Sequence, residues 1–98
     1  MLSEMIYMKA DENYTNIFLM TGKKILTSRQ LKCYDNDLYK LQFYRINRSY
    51  LVNVNHIKEI YFKDNPRVVM TNDIVVNIPR RRKSEIKKVF DEKFLRIR

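Results

Sequence analysis

Alternation of apolar and polar residues along the first quarter of the chain predicts short β-strands. The stretch Met5–Ala10 is rich in β-forming residues, and Tyr14–Met20 alternates between two faces. A polar turn at residues 11–13 separates them, and the only glycine, Gly22, marks a second tight turn. Because Lys24–Thr27 then returns as a third strand, this part of the chain is predicted to form a β-meander.

A helical repeat of apolar residues follows the meander and predicts an internal helix over Arg29–Leu41. Ser28 stands where it can cap the start of this helix, and the polar run at residues 35–37 weakens its middle. Cys33 is expected to pack at the core or its boundary. The residues that repeat at i, i+3, i+7 and i+10 are Leu31, Tyr34, Leu38 and Leu41.

The second half of the chain returns to extended patterns and closes on another helix. Residues 43–54 are predicted to be extended, with a break at 47–49, and residues 57–62 form a further strand. A turn at 64–66 leads to a hairpin of residues 68–70 and 74–78. Pro79 suits the first turn of a closing helix. Its apolar stripe consists of Ile86, Val89, Phe90 and Phe94.

These patterns together predict a mainly β fold of about seven or more strands with one internal and one terminal helix. The length of 98 residues and a hydrophobic content of 45% suit one domain, which we place over residues 1–98 with its core at about 5–92. A lone cysteine cannot form a disulfide framework, which favours a reducing, cytoplasmic location. No signal peptide and no apolar run long enough to span a membrane is apparent.

Charge is the first feature that bears on function. The formal charge is +9, and the stretch from Pro79 to Arg98 carries nine basic and three acidic residues, so most of the excess lies at one end. Such a field suits a polyanion such as DNA, RNA or an anionic membrane surface. From net charge alone, a merely solubilising surface is an equally good interpretation.

The inventory of reactive residues argues against an enzyme. His56 and Cys33 are the only residues of their types, and they lie on different predicted elements. A single glycine rules out a glycine-rich phosphate loop, and no acidic stretch matches a calcium loop. No catalytic, cofactor or metal site is therefore predicted.

Three polar clusters favour nucleic-acid binding instead. Residues 80–83 place four cations at a strand-to-helix junction, where helix amides already attract phosphate and where stability alone favours acidic residues. Residues 44–50 combine Arg48 in the turn with Arg45 in a strand, and Arg45 has the alternative role of an ion pair with Asp or Glu. Residues 13–16 form a weaker third cluster. Without a helix-turn-helix pair, any DNA reading is expected from loops between strands.

The segment Phe43–Ile60 resembles the signature of the LytTR (LytR/AlgR-type) DNA-binding domain, which runs roughly Phe-x-Arg-x-His-Arg-Ser-Tyr-Leu-Val-Asn followed by an Ile-Lys-x-Ile strand. The resemblance extends in order over about residues 5–92. It implies stacked antiparallel β-sheets with few helices, and bacterial transcription regulation as the output domain of a two-component response regulator. In that family, loops enter successive major grooves of promoter DNA at short direct repeats and bend it.

Carried onto this sequence, the resemblance implies base reading by Tyr14, Arg48 and Arg81. The sequence departs from the family pattern at Asn47, where histidine is common, and at Pro79, where serine is usual. Asn53 matches a motif asparagine and is expected to be structural. The residues implied to contact the DNA backbone are Asn13, Arg45, Asn47, Ser49, Arg80, Arg82 and Lys83.

Two wider expectations accompany this interpretation. The family usually joins the domain to an N-terminal receiver, which this chain does not contain, so the chain is expected to be either an excised output domain or a stand-alone regulator. Copies of the domain are expected to bind neighbouring repeats cooperatively, as a possible homodimer. The alternative is a basic, β-rich RNA-binding or ribosome-associated module. Against that alternative, the sequence lacks the alternating aromatic sheet motif of common single-strand RNA readers.

Overall fold

The computed structural model describes residues 2–93, in which eight β-strands and two α-helices are found. The strands are Met5–Asp11 (β1), Tyr14–Leu19 (β2), Lys24–Thr27 (β3), Phe43–Arg45 (β4), Tyr50–Asn53 (β5), Ile57–Tyr61 (β6), Arg67–Met70 (β7) and Val75–Asn77 (β8). The helices are Asp35–Tyr39 (α1) and Lys83–Lys93 (α2), and short 3₁₀ turns lie at Leu2–Glu4, Leu31–Tyr34, Val54–His56 and Arg80–Arg82.

Two antiparallel sheets form the scaffold. The larger has the strand order β3-β2-β1-β5-β4, and the smaller has the order β6-β7-β8. Met8 is paired with Ile17 on one side and Leu51 on the other, so β1 lies at the centre of the larger sheet. The mainly β fold with stacked antiparallel sheets is therefore confirmed, as are the turns at Glu12 and Gly22, which both adopt positive φ.

The larger hydrophobic core lies between the two sheets and α2. Val52 and Ile46 come from the larger sheet and its loop, Val68 and Val76 from the smaller sheet, and Ile86 from α2, and all five are fully buried. Burying side chains of this size contributes roughly 1.5–3 kcal/mol each. This core therefore fixes the smaller sheet and α2 against the larger sheet.

A second core covers the opposite face of the larger sheet. Met8, Phe43 and Leu51 from the sheet pack against Leu31 and Leu38 from the segment between β3 and β4. Because both faces of its central strands are covered, β5 is an almost continuous apolar run instead of an alternating one. This second contact holds residues 31–39 against the sheet.

The internal helix predicted over Arg29–Leu41 is wrong in length and form. A 3₁₀ turn leads into α1, which ends at Tyr39, and the residue preceding the turn is Gln30, so Ser28 does not cap it. The chain leaves the helix early because Gln42 adopts a positive φ of 69° and delivers Phe43 to β4. Leu41 is consequently 49% exposed, and Cys33 is exposed instead of packed.

The C-terminal helix begins later than the sequence pattern indicated. Pro79 is extended, with φ −61° and ψ 139°, and precedes the 3₁₀ turn before α2 instead of lying in a first helical turn. The predicted stripe is confirmed for Ile86 and Phe90, which are buried, and for half-buried Val89. Phe94 lies outside the described residues.

Candidate nucleic-acid interface

The three polar clusters meet at one edge of the larger sheet. Residues 12–13 form the turn between β1 and β2, and the loop of residues 46–49 leads into β5 at the same edge, where the Ala10 amide donates to the Ser49 carbonyl at 2.8 Å. Segment 79–83 packs on that loop, since Arg82 donates to the Ile46 carbonyl at 3.0 Å. We call this surface, comprising residues 12–15, 28–32, 46–49 and 79–83, the loop edge.

The Asn47 side chain shapes the 46–49 loop. Its Oδ1 accepts hydrogen bonds from the Ser49 amide at 2.8 Å and the Tyr50 amide at 3.0 Å. Its Nδ2 donates to the Asn77 carbonyl at 2.8 Å, which joins the loop to the end of β8. The side chain thus uses three of its four hydrogen-bonding positions inside the protein.

Arg45 supports the same loop from behind. Its guanidinium forms an ion pair with Asp35, with Nη1 at 2.7 and 2.9 Å from the two carboxylate oxygens. Nε donates to the Asn47 carbonyl at 2.9 Å, and Nη2 donates to the Arg48 carbonyl at 3.0 Å. The ion pair considered from the sequence is confirmed, and the same side chain fixes the backbone that presents Arg48.

Arg82 joins segment 79–83 to the 46–49 loop. Its Nη1 donates to the carbonyls of Arg45 at 2.9 Å and Ile46 at 3.0 Å, and its Nη2 donates to the Tyr44 hydroxyl at 3.2 Å. Nε and Nη2 also contact the Glu85 carboxylate, each at 3.2 Å. With the side chain only 22% exposed, Arg82 is placed to hold two loops together.

Two side chains that are bonded to Arg82 have shifted pKa values. The hydrogen bond that Arg82 donates lowers the pKa of the Glu85 carboxyl below its ordinary value. Burial raises the pKa of the Tyr44 hydroxyl, so Tyr44 is a neutral hydrogen-bonding partner near pH 7. Arg82 therefore links the two loops as a charged guanidinium bonded to the Glu85 carboxylate and to the neutral Tyr44 phenol.

Other predicted contact residues point outward. Tyr14 is 48% exposed, and Arg48, Arg80 and Arg81 are exposed, whereas Lys83 is half-buried. Within residues 2–93, the guanidinium groups of Arg48, Arg80 and Arg81 have no hydrogen bond or ion pair. These side chains are available to a ligand.

Arg48 and Arg81 share one shallow depression, with a volume of about 310 Å³. Its one carboxylate, Asp35, is already paired with Arg45, so the depression is strongly positive. Tyr14 does not line it and is the first residue of β2, directly after the neighbouring β1–β2 turn. The lining residues are Lys32, Asp35, Arg45, Asn47, Arg48, Pro79, Arg81 and Arg82.

Two basic residues at the loop edge were missed from the sequence. The buried Thr15 hydroxyl donates to the Arg29 carbonyl at 2.8 Å, which places Arg29 beside the β1–β2 turn, and Lys32 lines the depression. Nothing in the apolar periodicity distinguished them, because both fell on the polar face of the predicted helix. A third polar residue, Gln30, donates to Asn13 Oδ1 at 2.9 Å.

Asn53 has the structural role expected of it. The residue is 3% exposed, and its side chain donates to the Met5 carbonyl at 2.9 Å and accepts from the Asn55 amide at 3.0 Å. The ring of His56 lies 2.8 Å from the Ser3 carbonyl and 3.1 Å from the Thr71 hydroxyl, far from Cys33 in the chain. Both residues organise the backbone around β5 and β6.

Residues 2–93 contain neither a candidate metal site nor a candidate membrane-spanning helix. No cluster of three or more His, Cys, Asp or Glu side chains there could hold a metal ion. Neither described helix has the length and apolar character needed to cross a membrane.

Comparison with known protein families decides the classification. The model of the LytTr DNA-binding domain matches residues 1–91, nearly the whole chain. This chain belongs to the LytTR family. A solved structure, the LytTr DNA-binding domain of a methyl-accepting/DNA response regulator from Bacillus cereus, superposes with a TM-score of 0.78 and 28% identity, covering 90% of this chain and 82% of that one.

Relatives of this LytTR domain include the transcriptional regulatory protein LytR of several Staphylococcus aureus strains. The identity is 36% over 62 residues, which is 61% of this chain. The matched part spans only 25% of the LytR chains, so these relatives contain much more protein than the matched domain.

Proposed function

We propose that this chain is a sequence-specific, double-stranded-DNA-binding domain and the output domain of a bacterial transcription regulator. The observation that carries the proposal is the pair of exposed guanidinium groups of Arg48 and Arg81 in one positive depression on a hydrogen-bonded loop edge. Family membership supplies the ligand class, and the position of Arg48 in a loop and of Arg81 in a 3₁₀ turn favours reading by loops.

In the proposed mode of binding, Arg48 and Arg81 read bases in one major groove, and Tyr14 on the adjacent turn reads the next. Arginine presents two parallel donors that match O6 and N7 of guanine, which makes it the commonest side chain for direct readout. Asn13, Ser49, Arg80 and Lys83 surround these residues and contact phosphates, which fix the register of the protein on the duplex.

Arg45, Asn47 and Arg82 were also expected to contact phosphates, and we now propose a different main role for them. Their polar atoms already form hydrogen bonds within the protein, to Asp35, the Asn77 carbonyl and the Arg45 carbonyl among others. A side chain with its donors engaged in this way positions its neighbours more than it binds ligand. These three residues preorganise the loops that carry Arg48 and Arg81, which lowers the entropic cost of binding.

The wider context forms part of the same proposal. LytR is a transcriptional regulatory protein and the Bacillus cereus domain comes from a response regulator, which supports a cytoplasmic regulator in which this domain follows a receiver. Copies of the domain would occupy short direct repeats in a promoter, with a homodimer forming on the DNA. The domain itself acts by binding and has no catalytic role.

The proposal is tested by a shift assay across a range of salt. The probes are a duplex selected from a random pool with the wild-type chain, a scrambled duplex of the same composition, and a single-stranded RNA. We expect the selected duplex to bind at least about a thousandfold more tightly than the scrambled one. Equal affinity for the selected and the scrambled duplex would contradict the proposal, and tighter binding of the RNA than of either duplex would favour the RNA-binding alternative.

Substitutions at the reading residues sharpen this test. Arg48→Ala or Arg81→Ala should cost about 1–3 kcal/mol on the selected duplex and much less on the scrambled one. Lys83→Ala is the control, since losing a phosphate contact weakens both duplexes alike and flattens the salt dependence. If Arg81→Ala leaves the preference unchanged, Arg81 does not read bases.

A further inference from the structure

Segment 28–32 connects the two parts of the loop edge that the proposed function uses. At its start, Arg29 lies beside the β1–β2 turn that carries Tyr14. At its end, Lys32 lines the depression that contains Arg48 and Arg81. In the proposed mode of binding, the segment therefore lies between the groove read by Tyr14 and the groove read by Arg48 and Arg81.

The backbone of this segment is held in place at several points. The hydroxyl of Thr15, a fully buried residue, donates to the Arg29 carbonyl at 2.8 Å, and Gln30 donates to Asn13 at 2.9 Å. Leu31 is 2% exposed in the second core. Side chains that leave such a fixed backbone start from defined positions, so less conformational entropy is lost when they bind.

The cations on this segment are unpaired. Arg29 and Lys32 are exposed, and neither side chain has an ion pair with any residue between 2 and 93. Of the nearby carboxylates, Asp35 is paired with Arg45 and Asp11 accepts a hydrogen bond from Asn16 at 3.3 Å, whereas Glu12 on the β1–β2 turn is exposed. Two like charges on a segment held by these contacts are better explained by an anionic ligand than by intramolecular stability.

We propose that Arg29 and Lys32 form a phosphate-binding site for the DNA backbone that lies between the two base-reading regions. This inference rests on the proposed function. The site is sequence-independent, because phosphates carry no base identity. Its effect is to hold the duplex against the loop edge in the interval where the protein makes no base contact.

The test measures the slope of log affinity against log salt concentration for the Arg29→Gln/Lys32→Gln double variant. Each phosphate contact contributes about 0.9 to this slope, so we expect it to flatten by nearly two units. Affinity should fall by the same factor on the selected and the scrambled duplex, leaving their ratio unchanged. The matched control is Lys23→Gln/Lys24→Gln, which removes the same charge from exposed positions at the opposite end of the β2–β3 hairpin.

The possible outcomes separate this inference from the proposed function. If the wild-type chain prefers the selected duplex but the double variant keeps the wild-type slope, the phosphate site is refuted and the function stands. The same holds if the control variant flattens the slope equally, because net charge then explains the effect. A changed ratio between the two duplexes would also refute it, as base readout would be involved. A wild-type chain without any duplex preference would overturn the function itself.

Discussion

Replacement of Arg82 tests whether the loop edge is a preorganised surface. Arg82→Met retains the packing of the aliphatic stem but removes the charged donors to the carbonyls of Arg45 and Ile46. Hydrogen bonds from a charged group contribute about 1.5–3 kcal/mol each, and water that reaches the two freed carbonyls recovers part of this. We therefore expect the free energy of unfolding, measured by urea denaturation, to fall by about 2–4 kcal/mol.

The same substitution predicts a distinctive effect on DNA binding. The variant Arg82→Met/Glu85→Gln removes one positive and one negative charge, so it keeps the net charge of the chain. It still removes the hydrogen bonds that join segment 79–83 to the 46–49 loop. If Arg82 positions the loops, affinity for the selected duplex falls while the slope of log affinity against log salt stays at the wild-type value. Arg81→Met is the comparison, because it should leave stability within about 0.5 kcal/mol and lower affinity.

Two results would refute this reasoning. One is an Arg82→Met variant whose unfolding free energy lies within about 0.5 kcal/mol of the wild type, the range expected for an unimportant surface residue. The other is a charge-balanced variant whose salt slope flattens by about one unit, since Arg82 would then bind a phosphate directly. Arg82→Lys should lie between wild type and Arg82→Met, because an ammonium group keeps the charge but not the planar fork.

Three further predictions concern stability. Asn47→Ala should lower the unfolding free energy by about 1–3 kcal/mol because two loop amides lose their acceptor; no change in urea denaturation would exclude its role in shaping the loop. Thr15→Val, nearly the same shape, should cost about 1–3 kcal/mol by leaving the Arg29 carbonyl unpaired, and unaltered hydrogen exchange at residues 28–32 would count against it. Glu85 has a lowered pKa, so its contribution to stability is present at neutral pH and is lost as acid protonates the carboxylate. Glu85→Gln should be less stable than wild type by under about 1 kcal/mol at pH 7, and the difference should close below about pH 4. A stability difference that does not depend on pH would contradict this.

The strands were predictable because their signals are local. The alternation at β2, the only glycine at 22 and the polar breaks at 47–49 and 64–66 each fix a boundary without reference to distant residues. The internal helix was not predictable, because the position of its end depends on contacts with residues that are distant in the sequence. Leu41 satisfies the helical repeat, yet the chain has to turn at Gln42 to bring Phe43 into the sheet.

The candidate site also has features that could be predicted from the sequence and features that could not. Exposure of Arg48, Arg80 and Arg81 was predictable from residue type and position in a turn. The internal roles of Arg45 and Arg82 were not, because their partners Asp35 and Ile46 are brought to them by the fold. Arg29 escaped notice for the related reason that its neighbour Thr15 belongs to another strand.

The central claim is that DNA binds at the loop edge, and nuclear magnetic resonance of the backbone amides tests it most directly. The wild-type chain would be titrated with the selected duplex and its amide shifts followed. We expect the largest changes at residues 12–15, 28–32, 46–49 and 79–83, with smaller changes when the scrambled duplex is used. Largest changes on β6–β7 or on the exposed face of α2, with the loop edge unaffected, would contradict the account.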